Sequence, residues 1–217
     1  ETVKRREIRQ GKRIVILCEG ETEEIAVEHF IRRQWDVDGL KTIGLHKINL
    51  QGRLEDVFEY VPRYRRDSQV VAVFSLIDLY GMNRVKHNPD DALAHKVARV
   101  KNWLQDNFDP SFFHPHISVH EIEAWLLAEG DCIAQRLKDS KIRPDKNAEI
   151  KNFDNHPQKR IDVIFKSRRH GDGYHKINDG TPLFKCLQFK TVYDSCKYFR
   201  EFYDDLKLAG LSALKQN

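Results

Sequence analysis

Glu19 and Asp78 are the residues best placed to do chemistry. The apolar run Ile14-Val15-Ile16-Leu17-Cys18 delivers the first, and Val70–Ile77, broken only by Ser75, delivers the second. Short runs rich in β-branched residues read as buried strands. In open α/β sheets, ligands bind at the carboxyl ends of such strands. Two strands lying side by side would set both acids on one rim. Glu23, four residues after Glu19 on the first turn of the next helix, converges on the same spot. A third segment, His116-Ile117-Ser118-Val119-His120-Glu121-Ile122-Glu123, runs from a short strand into a helix and adds Glu121 and Glu123. Grouped carboxylates of this kind suit a hard divalent cation. Acids in a first helical turn also offset the helix dipole, and that alone accounts for Glu23, Glu24, Glu121 and Glu123. It accounts poorly for Glu19, which precedes its helix and is followed by Gly20, where the chain can turn sharply.

Basic side chains supply the complementary charge. Arg53 opens a helix after the second strand, on the rim where Glu19 belongs. Arg168, Arg169 and Lys176 fall in a late glycine-bearing loop. A cation beside a scissile phosphate stabilises developing charge, although a solvated loop explains the same residues. His114, His116 and His120 cluster. No His-x-x-x-His pair marks a helical metal site, so structural or supporting roles are expected, with His120 the best placed toward substrate beside Glu121. No Walker motif is present.

The elements that must position these groups alternate. Strands are expected at about 14–18, 43–50, 70–77 and 115–119, with helices at about 23–36, 53–66, 89–107 and 120–129. Pro62 should kink or end the second helix. Gly81–Pro89 reads as a polar loop. Strand–helix alternation argues for a parallel, doubly wound α/β sheet. After about Asp131 the pattern weakens, with scattered helix to residue 160, loop over 167–180, and a helix at about 191–206. Val192, Cys196, Phe199 and Tyr203 form that helix's apolar stripe, which reads as core packing. Three parts follow: a basic arm (1–13), an α/β core (14–130) and a mainly helical extension (131–217) packed on it.

The segments Cys18-Glu19-Gly20-Glu21-Thr22-Glu23-Glu24, Ile77-Asp78-Leu79-Tyr80-Gly81 and His120-Glu121-Ile122-Glu123-Ala124-Trp125-Leu126 resemble, in order and spacing, the motifs of a prokaryotic family known as domain of unknown function 4276. Tyr174-His175-Lys176 and Cys196-Lys197-Tyr198-Phe199 extend the likeness to about residue 206. The family is similar to Toprim-like nucleases of the overcoming-lysogenization-defect type. The resemblance implies a Toprim-like, Rossmann-like, mostly parallel sheet flanked by helices. It implies a Mg²⁺-dependent phosphodiesterase, with Mn²⁺ as a substitute, acting on DNA or RNA in anti-phage defence beside an AAA- or ABC-type ATPase. Glu19, Asp78 and Lys176 would be catalytic. Glu19, Glu23, Asp78, Glu121 and Glu123 would be the metal ligands. Arg53, Arg168, Arg169 and His120 would face substrate. Tyr80 stands where Toprim enzymes carry a second aspartate, which leaves open a non-catalytic module that docks an ATPase.

Composition sets the outer bounds. The chain has 217 residues, 40% hydrophobic and 32% charged, enough for one good core. No apolar run approaches the roughly 18 residues of a membrane span, and no signal-peptide pattern opens the chain. The chain does not begin with Met, which suggests a trimmed N-terminus. Cys18, Cys132, Cys186 and Cys196 form no Cys-x-x-Cys pair, so a zinc ribbon is not expected and a reducing cytoplasm is. Net charge is +4, and residues 1–13 hold six basic residues against two acids, leaving 31 of each sign elsewhere. The arm can therefore hold phosphates or a partner's acidic face. Homo-oligomerisation is compatible with all of this.

Overall fold

The computed structural model describes residues 11–79, 85, 86, 88, 90–119, 121–150 and 155–215. Residues 1–10 of the basic arm, Tyr80, most of the loop expected over 81–89, and His120 lie outside these. Four strands, β1 (Arg13–Cys18), β2 (Gly44–Asn49), β3 (Val70–Asp78) and β4 (Phe113–Ser118), form one sheet in the order β2-β1-β3-β4. Every neighbouring pair is parallel. This is the α/β class that the alternation of runs predicts. β1 starts one residue before the expected strand, with Arg13 opposite Gly44.

Period-two patterning splits the sheet into two faces. Ile14, Ile16 and Cys18 pack with Ala72, Phe74 and Leu76 on one side. Val15 and Leu17 pack with Val73 and Ile77 on the other. The first face carries α1 (Glu21–Ala26), continued through a π turn (Val27–Ile31) into α2 (Arg32–Val37). The second carries α3 (Val57–Arg65) and α4 (Leu93–Gln105), which bury Val57, Val61, Val97, Val100 and Leu104. Pro62 sits inside α3 and the helix continues to Arg65. Burial on both faces is why β1 and β3 read as continuous apolar runs rather than alternating ones.

The later chain is more helical than its weak periodicity suggests. It contains α5 (Glu123–Glu129), α6 (Asp131–Leu137), α7 (Pro157–Arg168), α8 (Gly180–Cys186), α9 (Phe189–Ser195) and α10 (Lys197–Lys215). Ile161, Phe165, Leu183, Phe184, Val192, Phe199, Phe202, Tyr203 and Leu206 join the same core as Ile14 and Phe74. The single helix expected over 191–206 is broken at Cys196, whose backbone is extended. The cause is a distant side chain. Buried Glu149 accepts hydrogen bonds from the N–H groups of Tyr198 (2.9 Å) and Phe199 (3.1 Å), and so caps α10 from outside.

Cys132 of α6 and Cys186 of α8 form a disulfide, with Cα atoms 5.8 Å apart, while Cys18 and Cys196 are buried free thiols. The sequence suggests four thiols. The paired cysteines lie 54 residues apart and meet only because α6 packs on α8.

α10 approaches α2 closely at Gly210. Trp35 is buried and fixed by a hydrogen bond from Nε1–H to the Ile43 carbonyl (2.9 Å). A Cβ at Gly210 would stand 2.4 Å from its ring. Gly210→Val should therefore lower Tm by several degrees, because overpacking costs about 1–3 kcal/mol and the helix-propensity gain is only a few tenths. Thermal unfolding checks this, and an unchanged Tm would show that Trp35 can move aside.

Candidate metal centre

Three adjacent parallel strands end at one edge, and each sends a carboxylate there. Glu19 directly follows β1, Asp78 is the last residue of β3, and Glu121 and Glu123 follow β4. The register places Cys18 opposite Leu76 and Asp78 opposite Ser118, so the strand ends lie side by side. Glu19 turns across the gap, and its Oε2 accepts the Asp78 backbone N–H at 2.7 Å. Glu23 folds back on the α1 N-terminus, where its Oε2 accepts the Gly20 N–H at 2.9 Å in a capping box. Glu121 Oε2 accepts the Gln158 N–H at 2.7 Å, tying this edge to the start of α7. Glu24 is directed elsewhere, toward the Asn49 side chain.

The electrostatics show how tightly these acids sit. Burial pushes the Glu23 carboxyl up to about 7, and the charge on Glu19 adds to the effect. Burial pushes Glu123 up to about 8; Lys176 pulls it down while Glu121 and Glu23 push it up. Asp78 is held well above the usual carboxylate range, first by burial and then by Glu23, Glu19, Glu123 and Glu121. Glu19 is raised by burial and by Glu121, against the Asp78 N–H and Lys176. Asp78 Oδ1 and Glu123 Oε1 are buried without a hydrogen-bond partner. Acids that repel one another and keep unsatisfied buried oxygens have the donor chemistry of a hard-cation site. Among the described residues, no group of three or more His, Cys, Asp or Glu side chains is already arranged to hold a metal ion. Glu19, Glu23 and Glu121 each commit an oxygen to a backbone N–H.

Lys176 lies on the exposed loop between α7 and α8, and its charge acts on Glu19, Glu23 and Glu123. Buried Asp179 fixes this loop. It accepts from Arg136 (2.9 Å), from both Arg169 Nη groups (2.9 and 2.8 Å) and from the His175 N–H (3.0 Å). Burial would raise Asp179, but Arg169, the His175 N–H and Arg136 outweigh it and hold the carboxyl below its ordinary value. Tyr174 lies beside the same acids, its hydroxyl buried without a partner and its ionisation suppressed by burial and by Glu123.

The other sequence candidates divide. Arg53 is exposed and pairs with Asp56, next to the turn whose Gly52 N–H bonds the Glu19 carbonyl. Arg168, the last residue of α7, pairs with Asp139 beyond α6, whereas Arg169 is engaged by Asp179 and stacked over Phe165 and so braces the loop. His116 is buried between Phe74 and Phe202 and pairs with Asp205 at 3.1 Å, and His114 stacks on Phe74. Residue types and spacing do not mark Tyr174 or Asp179 for the site. Tyr174 carries one signal, its place two residues before Lys176, and Asp179 carries none.

The family model described as "Domain of unknown function (DUF4276)" matches residues 18–207. The chain belongs to this family. No curated protein is similar to it in sequence. The fold is similar to the C-terminal region of the Xanthomonas campestris pv. campestris OLD protein, solved with mercury or with iodine. These show 16% identity and TM-scores of 0.46 and 0.45, covering 95% and 94% of this chain and 98% of each of those. It is also similar to the C-terminal region of the Burkholderia pseudomallei OLD protein, at 14% identity and TM-score 0.42, covering 90% of this chain and 98% of that one. No helix among the described residues of this DUF4276 member is long and apolar enough to cross a membrane.

Raised carboxyl pKa values make stability depend on pH. Unfolded glutamates ionise near 4.5, whereas folded Glu23 and Glu123 keep their protons to about 7 and about 8. The folded state then binds more protons in this window, so stability falls as pH rises from about 4.5 to about 8, by on the order of a few kcal/mol. His46, His114 and His116, all lowered by burial, pull the other way. Glu123→Gln isolates the acid. In chelator, its Tm should exceed that of the parent at pH 8, with the gap closing toward pH 5. A gap independent of pH would remove the assigned repulsion.

Proposed function

We propose that this protein is a Mg²⁺-dependent phosphodiesterase acting on nucleic acid. The observation that carries the reading is the pair of buried, unpartnered oxygens, Asp78 Oδ1 and Glu123 Oε1, inside a group of mutually repelling acids. Asp78, Glu123, Glu19, Glu23 and Glu121 would hold the cation. When bound, Mg²⁺ supplies a water acidic enough to be deprotonated near neutral pH and polarises phosphoryl oxygens. Glu19, with its raised pKa and a second oxygen not held by the Asp78 N–H, is suited to take a proton from the attacking water. Lys176, on a loop braced by Asp179, brings positive charge to the phosphate, and Arg53 can swing to the same rim. The motif resemblance supports a role in anti-phage defence with an ATPase partner. In a reducing cytoplasm Cys132 and Cys186 would be a dithiol.

One observation favours a second reading, a non-catalytic docking module. Glu23 and Glu121 already serve as helix caps and Glu19 binds a backbone N–H, which gives each acid a structural use. Asp78→Asn separates the two. Under the first reading, cleavage of single- and double-stranded DNA and RNA in Mg²⁺ or Mn²⁺ falls at least about 100-fold, while Tm in chelator holds or rises because a repulsive charge is gone. The stabilisation that Mg²⁺ gives the parent at pH 8 should vanish as well. A parent that is neither stabilised by divalent cations nor able to cleave would leave the docking module.

A further inference from the structure

The opposite end of the sheet carries a second feature. A cavity of about 830 Å³ opens beside the start of β1 and is lined by Arg13, His46, Arg63, Tyr64, Arg66 and Asp67. Arg13 pairs with Asp67 at 2.5 Å. Among the described residues, Arg63 and Arg66 are exposed and have no hydrogen-bond or ion-pair partner for their guanidinium groups. Every other arginine among the described residues has such a partner, whether a carboxylate, as for Arg53, Arg65, Arg99 and Arg160, or a carbonyl, as for Arg33, Arg143 and Arg200. The two arginines that stand apart therefore line one cavity. Its wall is aromatic as well as basic, for His46 packs edge-on against Tyr64 at 6.3 Å and Tyr60 stacks on Tyr64 at 6.2 Å.

We infer that this cavity is a phosphate-binding site that holds the backbone of nucleic acid away from the carboxylate edge. Basic residues at the end of α3 also offset the helix dipole. That accounts for their sign, but not for their convergence with Arg13 and His46 on a hollow. Guanidinium groups with free donors match phosphate oxygens in geometry and charge. The spacing suits a polymer. The six residues of β1 separate Arg13 from Glu19, and at about 3.3 Å per residue this is roughly 20 Å, or about six base pairs of duplex. A backbone gripped at the cavity would reach the acids along the β2 edge. The inference rests on the nucleic-acid reading of the carboxylate site, but its test is independent of cleavage.

The test is binding of a labelled 30-base-pair duplex to the full chain in chelator, over a range of salt, for the parent, for the double variant Arg63→Glu with Arg66→Glu, and for Arg143→Glu as an unrelated surface control. The expected result is at least about tenfold weaker binding for the double variant alone. Its salt dependence should be flatter by about two units of slope, near one for each phosphate no longer held. Equal affinities and slopes for parent and double variant would overturn the inference, as would a parent that binds no duplex or a control that falls equally. Arginine-dependent binding by a protein that cleaves nothing would leave the cavity standing and sink the phosphodiesterase.

Discussion

Glu19 reaches Asp78 because β1 and β3 run in parallel as neighbours, and the rest of the site depends on that alignment. Parallel strands finish at the same edge. A sequence that ends each strand in an acid must therefore bring like charges together. Taking them out of water adds a cost, and the shifts of Glu23, Asp78 and Glu123 record both burial and mutual repulsion. The fold tolerates this because its apolar faces are complete on both sides of the sheet. Backbone N–H groups of Gly20, Asp78 and Gln158 offset part of the repulsion, and Lys176 offsets more.

The helical later chain has a use within this constraint. It carries Lys176 to an edge built from residues 19–123, and it must hold that lysine's loop in place without secondary structure. Asp179 does this by collecting an arginine from α6, another just past the end of α7, and a backbone N–H. A buried carboxylate with that many donors stays ionised and fixed, so it is a rigid anchor rather than a second ligand. The disulfide between α6 and α8 braces the same side, since Arg136 lies on α6 and Asp179 directly precedes α8.

Much of this is legible in the sequence, for a definite reason. β1 and β3 are buried on both faces, so each reads as a nearly continuous apolar run, and the acid that follows or ends the run is the residue on the rim. Glu19 and Asp78 are visible in that way. What is not visible depends on packing between distant segments. Glu149 ends one helix and starts another from some fifty residues away. The roles of Arg168 and Arg169 turn on partners, Asp139 and Asp179, that spacing cannot reveal. The histidines of β4 read as a cluster, but the strand period points His114 and His116 at the aromatic core. Cys132 and Cys186 follow the same rule.

Charge is the point on which the sequence and the structure lead to different pictures. Counted along the chain, the basic excess lies wholly in residues 1–13, and the remainder balances at 31 of each sign. A balanced count says nothing about pairing. Glu19, Glu23, Asp78, Glu121 and Glu123 gather at the carboxyl edge of the sheet, where the charge of Lys176 acts on Glu19, Glu23 and Glu123. Every arginine of the described residues but Arg63 and Arg66 has a carboxylate or carbonyl partner, and those two lie at the amino edge. The sheet is thus polarised, with unmatched negative charge at one end and unmatched positive charge at the other. A divalent cation at the acidic end would remove the repulsion there and turn that end from one that repels phosphate into one that accepts it. The proposed phosphate site at the basic end would need no cofactor to do the same. On the proposed reading, a polyanion longer than the sheet would be the ligand that both ends engage at once, and its hold on the acidic end alone would depend on the metal.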